Sequence, residues 1–514
     1  MDYRIGIDVG GTNIDAVLVK DNGTIVTSCK VIATKNISEG VLRVLSTLYE
    51  LHPFDKQRIL AVSIGTTHAT NAVLQGSELY KVGVIRIAGH KPSLPPAYSW
   101  NAQTRSTLYI GEKVINGGYD CDGSCITKLS ISEVRSAIYE LHNKGAEGFA
   151  VVGVFSLLYC EQENIVGNEI KEILGKAFPF TLSHKIGGVG YIERENSAIL
   201  NTALIKAMNA GFKDLQNILS IFGLTCPLFI TQNNGTIITL EEALQYPILT
   251  ISSGPTNSFV GSARLACKNE CVVADIGGTS TDVGIVLNNF PRRSLYNSSI
   301  GGITLNCAMP DILSIALGGG SYIEAKDDKV NIGPESAGYL IKQHAKLWGG
   351  SKITLTDMAQ ALGHVNFSSV KFTKQEAMCA KRIMSEIVLK LEKLYQKISG
   401  PHADLPFIIV GGGAMLLASP FLPKYAFIPE YAEVANAYGA AFAEVSVTKD
   451  TVVSLTDREN VLKNIRNEAK GEISLLYKVN PSSIRIVYEE IIPYHYIPNN
   501  LARVRITAAS PWIS

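Results

Sequence analysis

Cys271-Val272-Val273-Ala274-Asp275-Ile276-Gly277-Gly278-Thr279-Ser280-Thr281-Asp282 is the stretch on which the fold turns. An apolar run ends in an acid, two glycines and a set of hydroxyls. The same pattern stands at the amino terminus, where Arg4–Asp15 reads Arg-Ile-Gly-Ile-Asp-Val-Gly-Gly-Thr-Asn-Ile-Asp. Each copy returns at once to apolar residues, Ala16-Val17-Leu18-Val19 and Val283-Gly284-Ile285-Val286. Each therefore predicts a strand, a tight glycine turn and a second strand. Two such hairpins far apart in one chain predict two lobes, one hairpin per lobe.

The residue types in these hairpins suit phosphate. Glycines let the backbone come close to a ligand. The N–H groups of such a turn converge on an anion, and Thr and Ser hydroxyls add donors. That assigns Gly10, Gly11 and Thr12 in one copy, and Gly277, Gly278, Thr279 and Ser280 in the other, to a nucleotide-phosphate clamp. Asp8 and Asp275, just before the glycines, can hold Mg²⁺ directly or through its waters. One copy alone reads as an ordinary glycine-rich turn; the repetition in one format argues for the clamp.

A chain of 514 residues accommodates two or three domains, each with its own core. The net charge is +1 with both signs interspersed, which gives no basis for a nucleic-acid or polyanion surface. No signal-peptide pattern opens the chain, and its richest apolar stretch, Phe149–Leu158, is too short to span a bilayer and reads as a buried parallel strand. A cytoplasmic protein is expected. The cysteines number nine and are scattered, against a disulfide framework. Cys121 and Cys125 flank an Asp-Gly turn rather than half of a zinc site. No Gly-Lys-Ser/Thr phosphate loop, Gly-x-Gly-x-x-Gly, His-Glu-x-x-His or Gly-x-Ser-x-Gly is present.

Along the chain, helical spacing covers Ile37–Leu51, with Ser38 as N-cap, and a strand follows at Leu60–Ile64. Gly65-Thr66-Thr67-His68 then opens a helix; the hydroxyls of Thr66 and Thr67 suit an anion, although a capping run has the same letters. Val82–Ile87 predicts a strand, Lys91–Trp100 a loop, Ser132–Lys144 a helix feeding the Phe149–Leu158 strand. A long helix is expected from Glu193 through Met208 to Leu219, then a strand with a polar turn over Phe229–Ile238. Small-residue helices from Pro255 to Ala266 and from Tyr431 to Val445 are placed where the chain crosses between lobes, and are expected to be the hinge. Between them lie Gly318-Gly319-Gly320, an irregular loop at Gly333–Gly338, a helix over Lys374–Ser399 with an apolar stripe, and a strand, Phe407–Val410, that meets Gly411-Gly412-Gly413. The boundaries expected are a first lobe over residues 1–252, a second over 253–447 and a small C-terminal cap over 448–514.

In this order the pieces resemble the actin, hexokinase and heat-shock-chaperone ATPase superfamily. More narrowly they resemble the hydantoinase A and 5-oxoprolinase family, which includes acetone and acetophenone carboxylase subunits. The matching stretches include Gly6–Asp15, Gly65–Ala72, Tyr191–Asn201, Gln232–Gly235, Ser253–Pro255, Asp275–Asp282, Asp311–Ser321, Gly333–Gly338 and Thr354–Asp357. The resemblance implies an α/β fold of two ribonuclease-H-like lobes around a nucleotide cleft, with a small α+β C-terminal extension. It implies ATP and Mg²⁺ as cofactors and a hydrolase that phosphorylates the carbonyl oxygen of a cyclic amide, with an ATP-dependent carboxylase subunit, a small-molecule kinase or a nucleotide-gated activator as alternatives. Asp8 and Asp275 would hold the metal, Asp15 and Asp282 would support them or orient water, and Gly411, Gly412 and Gly413 would lie against adenosine. Expected partners are a lactam or ketone, a second hydantoinase-type subunit and further copies of the chain, with no nucleic acid or membrane. The chain departs from the family pattern at Asn13 and Ile14, at Leu313 where a histidine is usual, and at Asn233 and Thr236.

Overall fold

The computed structural model describes residues 2–512 apart from 35, 90–91, 122, 189, 295–297, 327–328, 402–403 and 495–499. Lys91, at the start of the expected loop, and Asp122, in the expected Asp-Gly turn, lie outside the described residues. Two sheets repeat one pattern. In the first, Ile25–Ile32, Asn13–Lys20, Tyr3–Val9, Ile59–Thr66 and Leu228–Thr231 lie side by side. In the second, Thr281–Leu287, Cys271–Ile276, Phe407–Val410 and Ala426–Phe427 follow the same order. In both, the hairpin pair is antiparallel and the next strand runs parallel to the hairpin's first strand. This is the two-lobed α/β arrangement expected. Each lobe has its own apolar core, because the central strands are buried on both faces and carry near-continuous Val and Ile.

Two small-residue helices join the lobes. Ser253–Leu265 and Ala435–Ala441 cross so closely that a β-carbon on Gly261 would stand 1.9 Å from the carbonyl oxygen of Ala435, and one on Gly439 would stand 2.0 Å from that of Asn257. The neighbour in each case is backbone and cannot step aside. Gly261→Val or Gly439→Val is therefore expected to lower stability by at least about 1–3 kcal/mol, the usual range for overpacking, seen as a fall in melting temperature.

Several boundaries differ from those expected, each for a local reason. Asn36, not Ser38, caps the first helix, its side chain accepting from the Glu39 amide. The buried strand stops at Gly153, and Phe155 then takes a positive φ in a turn. The long helix ends at Phe212 and a second, Leu215–Phe222, follows. Residues Phe229–Ile238 form two antiparallel strands, and the expected loop at Gly333–Gly338 is largely strand, Lys329–Ser336. The second crossing helix is shorter than Tyr431–Val445, since Glu444 already begins a strand that runs to Ser454.

That last strand changes the organisation. Glu444–Ser454, Leu501–Ser510 and Arg485–Pro493 extend the first lobe's sheet beyond Thr236–Thr239, making nine strands. The C-terminal segment, expected as a small cap or α+β extension, continues the first lobe's sheet, its helix Arg458–Tyr477 packed on those strands. Two further features were not foreseen. A four-stranded parallel sheet, Tyr109–Ile115, Val82–Ile87, Gly148–Gly153 and Phe180–Leu182, has its own core within the first lobe's sequence. And the small hairpin Ser298–Ile300 and Ile303–Leu305, which follows the second phosphate-type hairpin in sequence, buries Ile300, Ile303 and Leu305 in the first lobe's core.

Candidate functional site

The two glycine turns have the same geometry. The Gly10 amide donates to the Asn13 carbonyl at 3.0 Å, and the Gly277 amide to the Ser280 carbonyl at 2.9 Å. Gly11 and Thr12 are exposed in one turn, Gly278 and Thr279 in the other. Register sets four carboxylates in two matching cross-strand pairs, Asp8 opposite Asp15 and Asp275 opposite Asp282. The second turn is braced from behind: the amides of Gly319 and Gly320 donate to the carbonyls of Gly277 and Gly278 at 3.0 and 2.8 Å.

The hairpins feel each other's charge. Burial first, then the Asp15 carboxylate, pushes Asp8 up to about 7, with Asp275 adding to the rise and the Asn436 hydrogen bond opposing it. Burial likewise pushes Asp275 up to about 6; beside it Ser258 opposes the rise, Asp282 adds to it, and Lys30 and Asp15 act from the other lobe. Asp8 accepts one hydrogen bond through Oδ2 from Asn436 at 3.3 Å, while its Oδ1 is buried without a partner. Asp15 pairs with Lys30 at 2.6 Å and Asp282 accepts from the Ser314 hydroxyl. Among the described residues no cluster of three or more His, Cys, Asp or Glu could hold a metal. The donor set is therefore two carboxylates from opposite lobes, one with an open buried oxygen. It fits a hard cation that keeps water and phosphate ligands.

Gly411, Gly412 and Gly413 begin where Val410 pairs with Asp275. A β-carbon on Gly411 would fall 2.1 Å from Asp275 Oδ1, so this glycine makes room for the carboxylate, whereas one on Gly412 would meet nothing within 4 Å. Gly413 donates to the Ile276 carbonyl at 2.7 Å. The structure thus brings the glycine triplet to the second hairpin. Of the two threonines expected to bind an anion, Thr66 is fully buried and its hydroxyl accepts the His68 amide at 2.9 Å. It is the last residue of the strand Ile59–Thr66, and its buried hydroxyl is engaged by the first amide of the helix His68–Gln75. Thr67 Oγ1 accepts from Asn71 at 3.3 Å.

Lys30, Asn436, Ser258 and Asn257 were missed. Lys30 had a signal, since it lies directly across the sheet from Asp15, but only once the third strand's register is known. The other three sit on the crossing helices. Their cue was a polar residue repeated in an otherwise small and apolar run. Asn257 bonds Thr231 at 2.9 Å, and a β-carbon on Gly65 would lie 2.3 Å from Asn257 Nδ2 and 3.1 Å from Asp8 Oδ1, so Gly65, Asn257 and Asp8 are packed together.

A two-lobed α/β protein with a matched glycine hairpin in each lobe is the class that this geometry defines. The chain belongs to the hydantoinase/oxoprolinase family: the Hydantoinase/oxoprolinase N-terminal region matches residues 4–174 and Hydantoinase/oxoprolinase matches 194–401. It is 26% identical over 397 residues to the acetophenone carboxylase gamma subunit of Aromatoleum aromaticum, an alignment covering 70% of this chain and 53% of that one. It is 25% identical over 415 residues to a 5-oxoprolinase of Saccharomyces cerevisiae, covering 71% of this chain and 32% of that one. The chain thus spans about half or less of the length of these curated relatives. The crystal structure of the ATP-dependent caprolactamase from Pseudomonas jessenii superposes with a TM-score of 0.79 at 18% identity, covering 100% of this chain and 88% of that one. At that identity the likeness is one of fold. No helix among the described residues is long and apolar enough to cross a membrane.

Proposed function

We propose that the chain is a Mg-ATP-dependent enzyme, or the ATP-using part of one, that opens a cyclic amide of the hydantoin or 5-oxoproline type in the cytoplasm, together with a second subunit. The observation that carries this is the pair of matching hairpins from opposite lobes, each with an acid before its glycines, Asp8 and Asp275, the charge of Asp275 being felt at Asp8 and that of Asp15 and Lys30 at Asp275. Bound ATP supplies a phosphoryl group that makes the amide carbon open to water. The chain's own part is positioning and charge stabilisation, which is most of what phosphoryl transfer needs. The turns closed by the Gly10 and Gly277 amides hold the phosphates through the backbone amides of Gly11, Thr12, Gly278 and Thr279 and through the Thr12, Thr279 and Ser280 hydroxyls. Asp8 and Asp275 hold Mg²⁺, directly or through water, and Lys30 and Ser314 keep Asp15 and Asp282 in place behind them. Gly411–Gly413 lie along the adenosine.

The test is phosphate release in Mg²⁺ with hydantoin, 5-oxoproline, caprolactam, acetone with bicarbonate, or a hexose. Phosphate release matched by ring-opened product is expected with a lactam. A phosphorylated hexose, with no lactam response, would overturn the reading in favour of a kinase. The likeness to the acetophenone carboxylase gamma subunit supports a second reading, a carboxylase subunit, for which the ketone with bicarbonate is the responsive pair.

A further inference from the structure

The two crossing helices meet in a locally twofold way. A β-carbon on Gly261 would stand 1.9 Å from the Ala435 carbonyl oxygen and 2.8 Å from the Gly439 nitrogen. One on Gly439 would stand 2.0 Å from the Asn257 carbonyl oxygen and 2.8 Å from the Gly261 nitrogen. The contacts match position for position, so Asn257 is the counterpart of Ala435 and Ser258 the counterpart of Asn436. Ala435 shows that the crossing itself needs no more than a methyl group at the first of these positions. Asn257 is larger and more polar than that, and Gly65 makes room for it: a β-carbon there would fall 2.3 Å from Asn257 Nδ2.

Asn257 is 1% exposed and Ser258 is fully buried. Asn257 donates through Nδ2 to the Thr231 hydroxyl at 2.9 Å, which turns Oδ1 the other way, and Oδ1 finds no partner. Ser258 stands near enough to Asp275 to favour its ionised form, yet its hydroxyl closes no hydrogen bond of ordinary geometry. Asp8 Oδ1 is the third such atom. Asn436 engages Oδ2, and Oδ1 lies 3.1 Å from the same Gly65 position that Asn257 Nδ2 crowds. A buried polar atom without a partner is costly, and native structures rarely hold several together unless a ligand or water meets them. All three atoms are oxygens, set beside the acids of both lobes. Such surroundings suit a hard divalent cation rather than a soft one.

We propose that the first crossing helix completes the metal site of the reading above, on which this inference rests: Asn257 Oδ1 and Ser258 Oγ meet the Mg²⁺, directly or through its waters, together with Asp8 and Asp275. The two residues are adjacent on one helix, Ser253–Leu265, and stand beside acids of opposite lobes. The cation is thereby tied to the element that joins the lobes as well as to the hairpins. Two neutral oxygens add ligands to the site without adding negative charge. Asn436 has a different part: it donates to Asp8 and holds that carboxylate with Oδ1 left open, which makes it a positioning residue.

Thiol substitution separates a ligand from a packing residue, because a thiolate favours a soft ion over Mg²⁺. The full chain is titrated calorimetrically with a non-hydrolysable ATP analogue in Mg²⁺, in Cd²⁺ and in chelator. Wild type is expected to bind in Mg²⁺ and to lose affinity in chelator. Asn257→Ala, Asn257→Cys and Ser258→Cys are each expected to bind at least about tenfold more weakly than wild type in Mg²⁺. In Cd²⁺ the two cysteine variants should match wild type in that ion, while Asn257→Ala should not; the nine native cysteines are common to all the chains compared. Equal losses in both ions at both positions, or unchanged Mg²⁺-dependent binding by folded Asn257→Ala and Ser258→Cys, overturns the assignment and leaves the nucleotide reading standing. Should one position not tolerate substitution, the other decides. Wild-type affinity that survives chelator removes the metal and this inference with it, and no binding by wild type in any ion sinks the nucleotide reading as well.

Discussion

Asp8→Asn is expected to reduce Mg-dependent ATP turnover by roughly 10²-fold or more, the scale of losing a group that stabilises charge at the reacting centre. The chain should remain folded. The amide keeps the size of the side chain and the bond to Asn436, but is a poor ligand for a hard cation. The apo protein should in fact be steadied at neutral pH. With its folded value raised from 3.8 to about 7, Asp8 favours folding most when protonated, so its contribution is complete below pH 3.8 and is lost as pH rises through 7. Wild-type melting temperature without ligand should accordingly fall between about pH 4 and pH 7, where the folded chain keeps protons on this acid and on Asp275, raised to about 6, that the unfolded chain has lost, and the fall should be shallower in Asp8→Asn. Mg²⁺ with nucleotide should restore wild type at pH 8 and do little for the variant. Unchanged turnover by Asp8→Asn at saturating Mg²⁺ would remove the metal role.

Gly412→Val is expected to weaken ATP by at least about tenfold, equivalent to about 1.4 kcal/mol, while the melting temperature of the apo chain stays within about a degree. The separation is possible because an added β-carbon at Gly412 meets no protein atom within 4 Å. Gly411 offers the internal contrast. There the same addition would strike Asp275, and the residue has φ +88°, so substitution should cost folding as well as binding. Calorimetry showing full ATP affinity in Gly412→Val would move adenosine elsewhere.

The hairpins were legible because their signal is local. A strand, a two-glycine turn and a return strand are contiguous over Tyr3–Lys20 and over Cys271–Leu287, and both Asp8–Asp15 and Asp275–Asp282 are set opposite by that turn alone. Thr66 shows the limit of reading letters, since a hydroxyl before a helix serves an anion or its own helix equally well, and only burial distinguishes them. The C-terminal strand Leu501–Ser510 pairs with Glu444–Ser454, whose other partner, Thr236–Thr239, lies some two hundred residues earlier, and pairing across such a span leaves no local trace. Glu444 was drawn into a helix because its neighbours are small, whereas its strand position comes from the first lobe's sheet.

The central claim is that one nucleotide is held from both lobes at once. Gly11→Asp and Gly278→Asp each put a negative charge into one turn with little steric consequence, since a β-carbon at Gly11 has its nearest contact at 3.7 Å and one at Gly278 has none within 4 Å. Calorimetric titration of the two variants and wild type with a non-hydrolysable ATP analogue in Mg²⁺ is the direct measurement. If both turns clamp the phosphates, each variant loses binding while its melting temperature matches wild type. Wild-type affinity in either variant would mean that its turn never touches the phosphates, and the two-lobed clamp would be wrong.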